Sequence, residues 1–176
     1  MLSQRINLIA YSTLAVIICY IDRVNISVAI IPMQEQFGWS DSQVGFIFSS
    51  FYLGYMLTMA LGGYLSDKFG GKRVLGWGVV LWSIFTILTP LAAHNGFFAL
   101  FFIRILMGIG EGVTFPAWHS LYARWIPFNE RTRAIAFTNS GVSIGTIIGY
   151  IGTQMIILAM GWEWAFYIFG IVGLVW

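Results

Sequence analysis

Residues 6–30 read "INLIAYSTLAVIICYIDRVNISVAI", an apolar run in which Asp22 and Arg23 are the only charged side chains. At about 1.5 Å per residue, this run would form a helix of roughly 37 Å, which is long enough to cross a bilayer core of about 30 Å. The rest of the chain has the same character. Of its 176 residues, 59% are hydrophobic and 9% are charged, whereas soluble domains carry about 25% charged residues. The sequence therefore predicts an all-α membrane protein.

Similar apolar runs divide the chain into five full spans and one shorter one. The predicted spans are about Ile6–Ile30, Ser42–Leu65, Val74–Ala93, Phe97–Tyr122, Ala134–Met160 and Trp164 onward. The connections between them are short and leave no room for a soluble domain. The sixth run covers only about 20 Å at 1.5 Å per residue. We therefore expect residues 1–176 to be the transmembrane part of a longer chain, with the sixth helix incomplete.

The basic residues predict the orientation in the membrane. Seven of them lie before the first span or in two of the connections: Arg5, Lys68, Lys72, Arg73, Arg124, Arg131 and Arg133. The connections on the opposite side contain Glu35, Asp41 and Glu163 and no Lys or Arg. Because cytoplasmic connections carry an excess of Lys and Arg, we expect a cytoplasmic N-terminus. The net charge of only +2 gives no sign of nucleic-acid binding.

Four ionisable residues lie within the predicted spans: Asp22 and Arg23 in the first, and Arg104 and Glu111 in the fourth. Charged residues inside a membrane usually face a bundle interior or an aqueous cavity and pair with one another. Seven residues separate Arg104 from Glu111, which places them on nearly the same helix face. Asp22 and Arg23 are neighbours and point about 100° apart, so we do not expect them to be each other's main partners.

Two interpretations of these charges are open. Two arginines at a similar depth could donate paired hydrogen bonds to a carboxylate or phosphate ligand. A desolvated carboxyl tends to take up a proton, whereas a neighbouring arginine favours its ionised form. An anion that competes for the arginine would then promote protonation, which is a basis for anion–proton symport. The alternative is that the four charges form ion pairs that only hold the helices together.

Three further patterns predict local packing. Gly141, Gly145 and Gly149 recur every four residues in the fifth span, which allows another helix of the same bundle to approach closely. Pro116 removes a backbone donor and predicts a kink in the fourth span. Most of the eight tryptophans are expected at the lipid-facing or interfacial surface.

The connection "GGYLSDKFGGKR" (residues 62–73) carries a longer signature. It resembles the G-x-x-x-D-[RK]-x-G-[RG]-[RK]-[RK] loop between the second and third helices of the major facilitator superfamily. The resemblance implies that this loop governs the switch between outward-facing and inward-facing states. The gating residues it implies are Gly63, Asp67, Lys68, Gly70, Lys72 and Arg73. We expect Gly63 and Gly70 to permit close packing and a tight turn.

Stretches such as "YIDRVNISVAIIPM" (residues 20–33) and "RILMGIGEGVTFPAWHSLYARWIPFNERTRA" (residues 104–134) narrow the resemblance. They are similar to the anion:cation symporter family. Its members include bacterial sugar-acid permeases, plastid phosphate carriers, the sialic-acid carrier and vesicular glutamate carriers. The resemblance implies the N-terminal six-helix bundle of a twelve-helix fold, with the C-terminal six-helix domain absent from this sequence.

The resemblance also implies roles for single residues. Arg23, Tyr55 and Arg104 correspond to substrate-binding positions. Asp22 and Glu111 correspond to a protonatable pair, and His119 matches a histidine of the sialic-acid and glutamate branch, where it is a candidate proton-coupling residue. Nothing in the sequence suggests a catalytic residue, metal cluster or cofactor site.

The expected function is proton-coupled symport of a small organic anion, a sugar acid or other carboxylate, by alternating access. A proton- or sodium-coupled phosphate transporter is the first alternative. A non-transporting six-helix interaction protein or an inactive fragment is the second. The expected partners are the anion, H+ or Na+, the lipid bilayer and the missing C-terminal half. The expected location is the bacterial inner (plasma) membrane, and no enzymatic activity is expected.

Overall fold

The computed structural model describes residues 2–176, with side chains from residue 4 onward. Seven α-helices make up the described chain, and no strand occurs among these residues. They are α1 Leu2–Phe37, α2 Asp41–Phe69, α3 Gly71–Asn95, α4 Phe97–Gly112, α5 Thr114–Trp125, α6 Phe128–Met160 and α7 Trp162–Val175. The helices α4 and α5 together form one apolar span. Five spans are long and apolar enough to cross a membrane, and α7 is a shorter apolar helix.

Most helices run past the predicted span ends. The helix α1 continues to Phe37, α2 continues to Phe69 and α6 begins at Phe128. The sequence prediction followed apolar residues alone, whereas a helix continues while its backbone hydrogen bonds continue. Gly70 by itself separates α2 from α3 and has a φ of 87°, a conformation that glycine adopts without steric cost. The tight turn predicted at Gly70 is confirmed.

The predicted kink in the fourth span is a break in the helix. Val113 separates α4 from α5, three residues before Pro116. An uninterrupted helix would need the residue at position 116 to donate to the Gly112 carbonyl, and proline has no such donor. The two helices remain parts of one apolar span, Phe97–Trp125.

Close helix contacts hold the bundle together. A Cβ added to Gly141, Gly145 or Gly149 would press on the α1 backbone or on α1 side chains. The glycine stripe therefore packs α6 against α1 within this chain, as predicted. By contrast, an added Cβ at Gly63 would meet nothing within 4 Å. The close packing expected at Gly63 is wrong for the described chain, because the neighbouring Gly62 is the residue that faces Pro116.

The expected lipid-facing or interfacial position is wrong for Trp82 and Trp118, which lie within spans and are buried. Trp39, Trp82, Trp118 and Trp162 are buried in the bundle, whereas Trp77, Trp125 and Trp164 are exposed. The indole ring is apolar enough to fill a core, and a position near a span end does not determine which way the ring points. Two of the buried rings, Trp82 and Trp118, belong to one apolar cluster at the centre of the bundle.

Candidate functional site

Alternate glycines on α4 determine where Glu111 points. Gly108 and Gly112 lie one turn apart, and a Cβ at either would clash with backbone carbonyl oxygens of α2. Gly110 faces the other way, and its Cβ would lie 2.8 Å from a backbone nitrogen of α3. The helix α4 therefore lies close to both α2 and α3. Glu111, between Gly110 and Gly112, reaches the remaining neighbour, α1, where it pairs with Arg23.

Adjacent residues of α1 serve two different contacts. Arg23 reaches Glu111 on α4, and Asp22 reaches Trp82 on α3. No ion pair joins Asp22 to Arg23 in the described part of the chain. The prediction that these neighbours have different partners is confirmed, because successive residues of a helix point about 100° apart.

The pair of Arg23 and Glu111 is the shortest ion pair among the described residues. Arg23 donates from Nη2 to Glu111 Oε2 at 2.8 Å and from Nε to the same oxygen at 3.1 Å. Cys19, one turn before Arg23, donates from Sγ to that oxygen at 3.2 Å. The other oxygen, Oε1, has no hydrogen-bond partner among the described residues. Three donors on one oxygen suit an ionised carboxylate, which accepts only.

Aromatic rings surround the Arg23 guanidinium. Its Cζ lies 4.7 Å from the ring centre of Tyr55, 4.8 Å from that of Tyr20 and 5.2 Å from that of Phe51. Rings at this distance attract a cation through their electron-rich faces. The Arg23 side chain keeps 16% of its surface exposed. The rings therefore fix the position of the guanidinium and leave part of it open.

A cavity of about 200 Å³ borders this cluster. Among the described residues that line it, the charged ones are Arg23 and Arg104, and neither Asp22 nor Glu111 lines it. The residues that line it are Tyr20, Arg23, Val24, Ile26, Ser27, Phe48, Phe51, Tyr52, Arg104, Thr146 and Tyr150. The wall presents positive charge, hydroxyl groups and aromatic rings, a combination that suits a small anion.

Arg104 is buried without a carboxylate partner. Its Nη1 lies 3.2 Å from Met107 Sδ, its Cζ lies 4.9 Å from the Phe51 ring centre, and its Nε has no partner among the described residues. The ion pairs found in the described chain do not include it. The sequence placed Arg104 and Glu111 on one face, but Arg23 is the arginine that binds Glu111. A buried cation that has only a thioether and a ring for partners can still accept an anionic ligand.

Asp22 is also fully buried. Its Oδ2 accepts a hydrogen bond from Trp82 Nε1 at 3.1 Å, and its Oδ1 has no partner among the described residues. A carboxylate is costly to bury without a cation. Glu111 is buried to the same extent and also has one oxygen without a partner, so among the described residues the difference is that Glu111 has an ion pair with Arg23 and Asp22 has none.

The other two residues with expected roles lie in different places. Tyr55 on α2 is half-buried against Arg23, and the α2 tyrosine that lines the cavity is Tyr52. His119 on α5 is exposed, and its Nδ1 lies 2.8 Å from the Phe115 carbonyl oxygen. Its ring stacks on Trp118 with 3.7 Å between ring centres. The structure therefore brings Tyr55 to the charged cluster and leaves His119 outside it.

The residues of the α2–α3 turn form a separate region at the basic end. Asp67 Oδ1 lies 3.5 Å from Arg124 Nη2 and accepts from Ser120 Oγ at 3.4 Å. Lys68 lies over the rings of Tyr64 and Phe69. Lys72 and Arg73 form the first turn of α3. This arrangement joins the end of α2 to α5 through exposed, long contacts.

Several residues that contact the charged cluster had no role in the sequence analysis. Cys19 and Trp82 donate to the two carboxylates, Phe51 lies beneath both arginines, and Met107 contacts Arg104. Cys19 and Met107 could have been found from spacing, because they lie four and three residues from an arginine of the cluster. Trp82 and Phe51 are far from the arginines in sequence, so only the packing of helices reveals them.

Comparison with known proteins places this geometry in a family. The sequence profile of the Major Facilitator Superfamily matches residues 12–176. A chain described as "Probable anion transporter 4, chloroplastic", from Oryza sativa subsp. japonica, is 50% identical over 91% of this chain and 27% of its own length. The chloroplastic ascorbate transporter of Arabidopsis thaliana is 49% identical over 91% of this chain and 30% of its own length. The chain thus spans about a third of the length of these relatives.

Solved structures share the fold. A bacterial homologue of the human lysosomal transporter Spinster, in an inward-facing and unoccupied conformation, matches with a TM-score of 0.81 and 26% identity over 97% of this chain and 41% of its own. A proton:xylose symporter matches with a TM-score of 0.83 over 98% of this chain and 44% of its own, at 21% identity. The second likeness concerns the fold alone.

Proposed function

The chain belongs to the Major Facilitator Superfamily, and from this membership we propose that it forms the N-terminal half of a twelve-helix secondary transporter that moves a small organic anion together with protons. The observation that carries the proposal is the cavity wall, whose charged lining residues among those described are Arg23 and Arg104. The relatives named anion and ascorbate transporters support an anionic substrate.

The size of the cavity supports a second half. At about 200 Å³, it is smaller than the roughly 300–1,000 Å³ of usual ligand pockets. Superfamily transporters bind their substrates near the midplane, between two rocking halves. Six further helices opposite α2 and α6 would complete the wall. Of the most apolar parts of these two spans, only 22% and 17% of the residues are buried in the described bundle.

The charges of the cluster supply a reason for proton coupling. Arg23 and Arg104 balance Asp22 and Glu111, so the cluster as a whole is formally neutral. An anion that binds Arg23 competes with Glu111 Oε2 for the same guanidinium donors. The displaced carboxylate is fully buried, and burial favours its neutral form. One bound anion and one bound proton return the cluster to neutrality.

Uptake by the full-length protein in liposomes tests this function. An inward proton gradient should drive the accumulation of a radiolabelled sugar acid or ascorbate, and collapsing the gradient with a protonophore should stop it. Accumulation that follows a sodium gradient and ignores the proton gradient would contradict proton coupling. Equal uptake of an uncharged sugar would contradict the anion-binding role of the cavity.

Phosphate is the second candidate substrate. A relative from Arabidopsis thaliana, "Sodium-dependent phosphate transport protein 1, chloroplastic", is 47% identical over 92% of this chain and 32% of its own length. Two guanidinium groups on one wall also suit a phosphate. The same liposomes, supplied with labelled phosphate on the outside under an inward sodium gradient, separate the two candidates. Only the transported anion should accumulate inside.

The membrane and the orientation are part of the proposal. The basic residues near the α2–α3 and α5–α6 connections predict that the N-terminus lies on the cytoplasmic side of the membrane, or on the equivalent side in an organelle. The relatives reported above are chloroplastic and do not support a bacterial plasma membrane. That location stays a prediction. Labelling of a cysteine introduced at Lys72 in intact cells or organelles, with an impermeant reagent, reads the orientation.

A further inference from the structure

Asp22 and Trp82 form a contact that the proposed transport cycle does not yet use. The Asp22 carboxyl is 0% exposed, and so is the Trp82 ring that donates to it. Asp22 has no ion-pair partner in the described chain, and Trp82 Nε1 is its single hydrogen-bond donor there. An indole N–H can only donate. The contact therefore occupies Oδ2 whether the carboxyl is ionised or carries a proton on its other oxygen.

Trp82 itself is held firmly where α3 crosses α4. A Cβ on Gly110 would lie 2.8 Å from the Trp82 backbone nitrogen and 3.1 Å from its Cβ, so this crossing is tight. Thr86 Oγ1 donates to the Trp82 carbonyl oxygen at 2.9 Å. These contacts fix the backbone and Cβ of Trp82 at the crossing, and its ring is fully buried in the bundle.

We propose that Trp82 is the positioning residue for Asp22: its indole N–H fixes the carboxyl with Oδ2 occupied and leaves Oδ1 as the oxygen that binds the proton. The inference rests on the proposed function only for the use of that proton in transport. The positioning itself follows from the contact and from the free Oδ1.

The charges around Asp22 are few. The charged residues of α4 are Arg104 and Glu111. On α1, Arg23 is the neighbour of Asp22, and the thiol of Cys19 lies one turn before it. No charged residue occurs in residues 74–93 of α3 or in residues 134–160 of α6. The charged residue of α7, Glu163, lies at the far end of that helix. Trp82 is therefore the neutral donor through which the protonation of Asp22 can be changed without altering any of these charges.

The test compares two tryptophan variants by infrared spectroscopy. pH-difference spectra of the full-length protein should contain a protonated-carboxyl band that Asp22→Asn removes. Trp82→Phe keeps an aromatic ring and loses the N–H, so the ionised form of Asp22 loses its donor. We expect the midpoint of the band to move to higher pH by about one unit and its frequency to change.

Trp118→Phe is the matched control. Trp118 is equally buried in the same apolar cluster, and its Nε1 has no partner among the described residues. We expect this variant to lose a similar amount of packing and to leave the Asp22 band in place.

The results distinguish the positioning role of Trp82 from the proposed transport function. Equal midpoints in Trp82→Phe, Trp118→Phe and the unaltered protein would overturn the positioning role, and so would spectra in which Asp22→Asn removes no band. A band that moves only in Trp82→Phe, in a protein that accumulates no anion, would support the positioning role and contradict the proposed transport.

Discussion

Two arginine–carboxylate pairs of this chain lie in opposite surroundings. Arg23 and Glu111 meet at 2.8 Å with side-chain exposures of 16% and 0%. Arg124 and Asp67 meet at 3.5 Å with exposures of 53% and 76%. The chemistry of the groups is the same, and the environment differs. In the buried pair, either partner alone would be an uncompensated charge in the bundle, whereas water can replace either partner of the exposed pair.

The largest expected effect comes from breaking the buried pair on one side. Glu111→Ala leaves Arg23 without its carboxylate, and we expect a loss of about 3–5 kcal/mol in the free energy of unfolding. Thermal melting of the purified full-length protein, with and without the substitution, measures this loss of stability.

The double variant Arg23→Met with Glu111→Leu is the control for this prediction. It replaces both charges with apolar side chains of comparable length, and it should recover much of the lost stability. A double variant less stable than Glu111→Ala would show that the pair contributes net stability, against the expectation.

The second effect concerns what Arg23 does in the cavity. Lysine keeps the charge of Arg23 but cannot donate two parallel hydrogen bonds to one anion. Arg23→Lys should therefore raise the KM for the transported anion by roughly a hundredfold, or about 2.7 kcal/mol, in liposome uptake. Arg5→Lys is the matched control, because Arg5 pairs with Glu130 at the exposed end of the bundle. An unchanged KM in Arg23→Lys would exclude two-point binding of the anion by Arg23.

The third effect tests how the glycines hold the buried pair. A Cβ on Gly108 would clash with the Phe51 carbonyl oxygen and lie 2.9 Å from the Tyr55 nitrogen. Gly108→Ala should push α4 from α2 and cost about 1–3 kcal/mol of stability. Gly76→Ala on α3 is the control, since its Cβ meets nothing within 4 Å. Alanine is the better helix former, so this variant should be slightly stabilised. Equal loss in both variants would refute the packing argument.

These comparisons also separate what the sequence could predict from what it could not. The spans, the kink before Pro116, the packing of the Gly141–Gly149 stripe and the divergence of Asp22 from Arg23 depend on spacing along one helix. Spacing along a helix is readable from sequence because 3.6 residues per turn fix which residues share a face.

The partner of each charge could not be predicted in the same way. Whether Glu111 meets Arg23 or Arg104 depends on the rotation of α4 against α1, which Gly108, Gly110 and Gly112 determine through contacts with α2 and α3. The burial of Trp82 and the open position of Gly63 depend on the same inter-helix geometry. A single sequence without contacts does not specify that rotation.

The smallest expected effect belongs to the exposed pair. Asp67→Ala removes a carboxylate that is 76% exposed and 3.5 Å from Arg124. Water solvates Arg124 after the change, so we expect less than about 1 kcal/mol of lost stability. Salt screens exposed charges over about 10 Å at 0.1 M. The difference between Asp67→Ala and the unaltered protein should therefore shrink when melting is repeated in 1 M salt, while the loss in Glu111→Ala should persist. A loss at position 67 as large as that at position 111, and insensitive to salt, would mean that the contact of Asp67 with Arg124 and Ser120 is a structural anchor comparable to the buried pair.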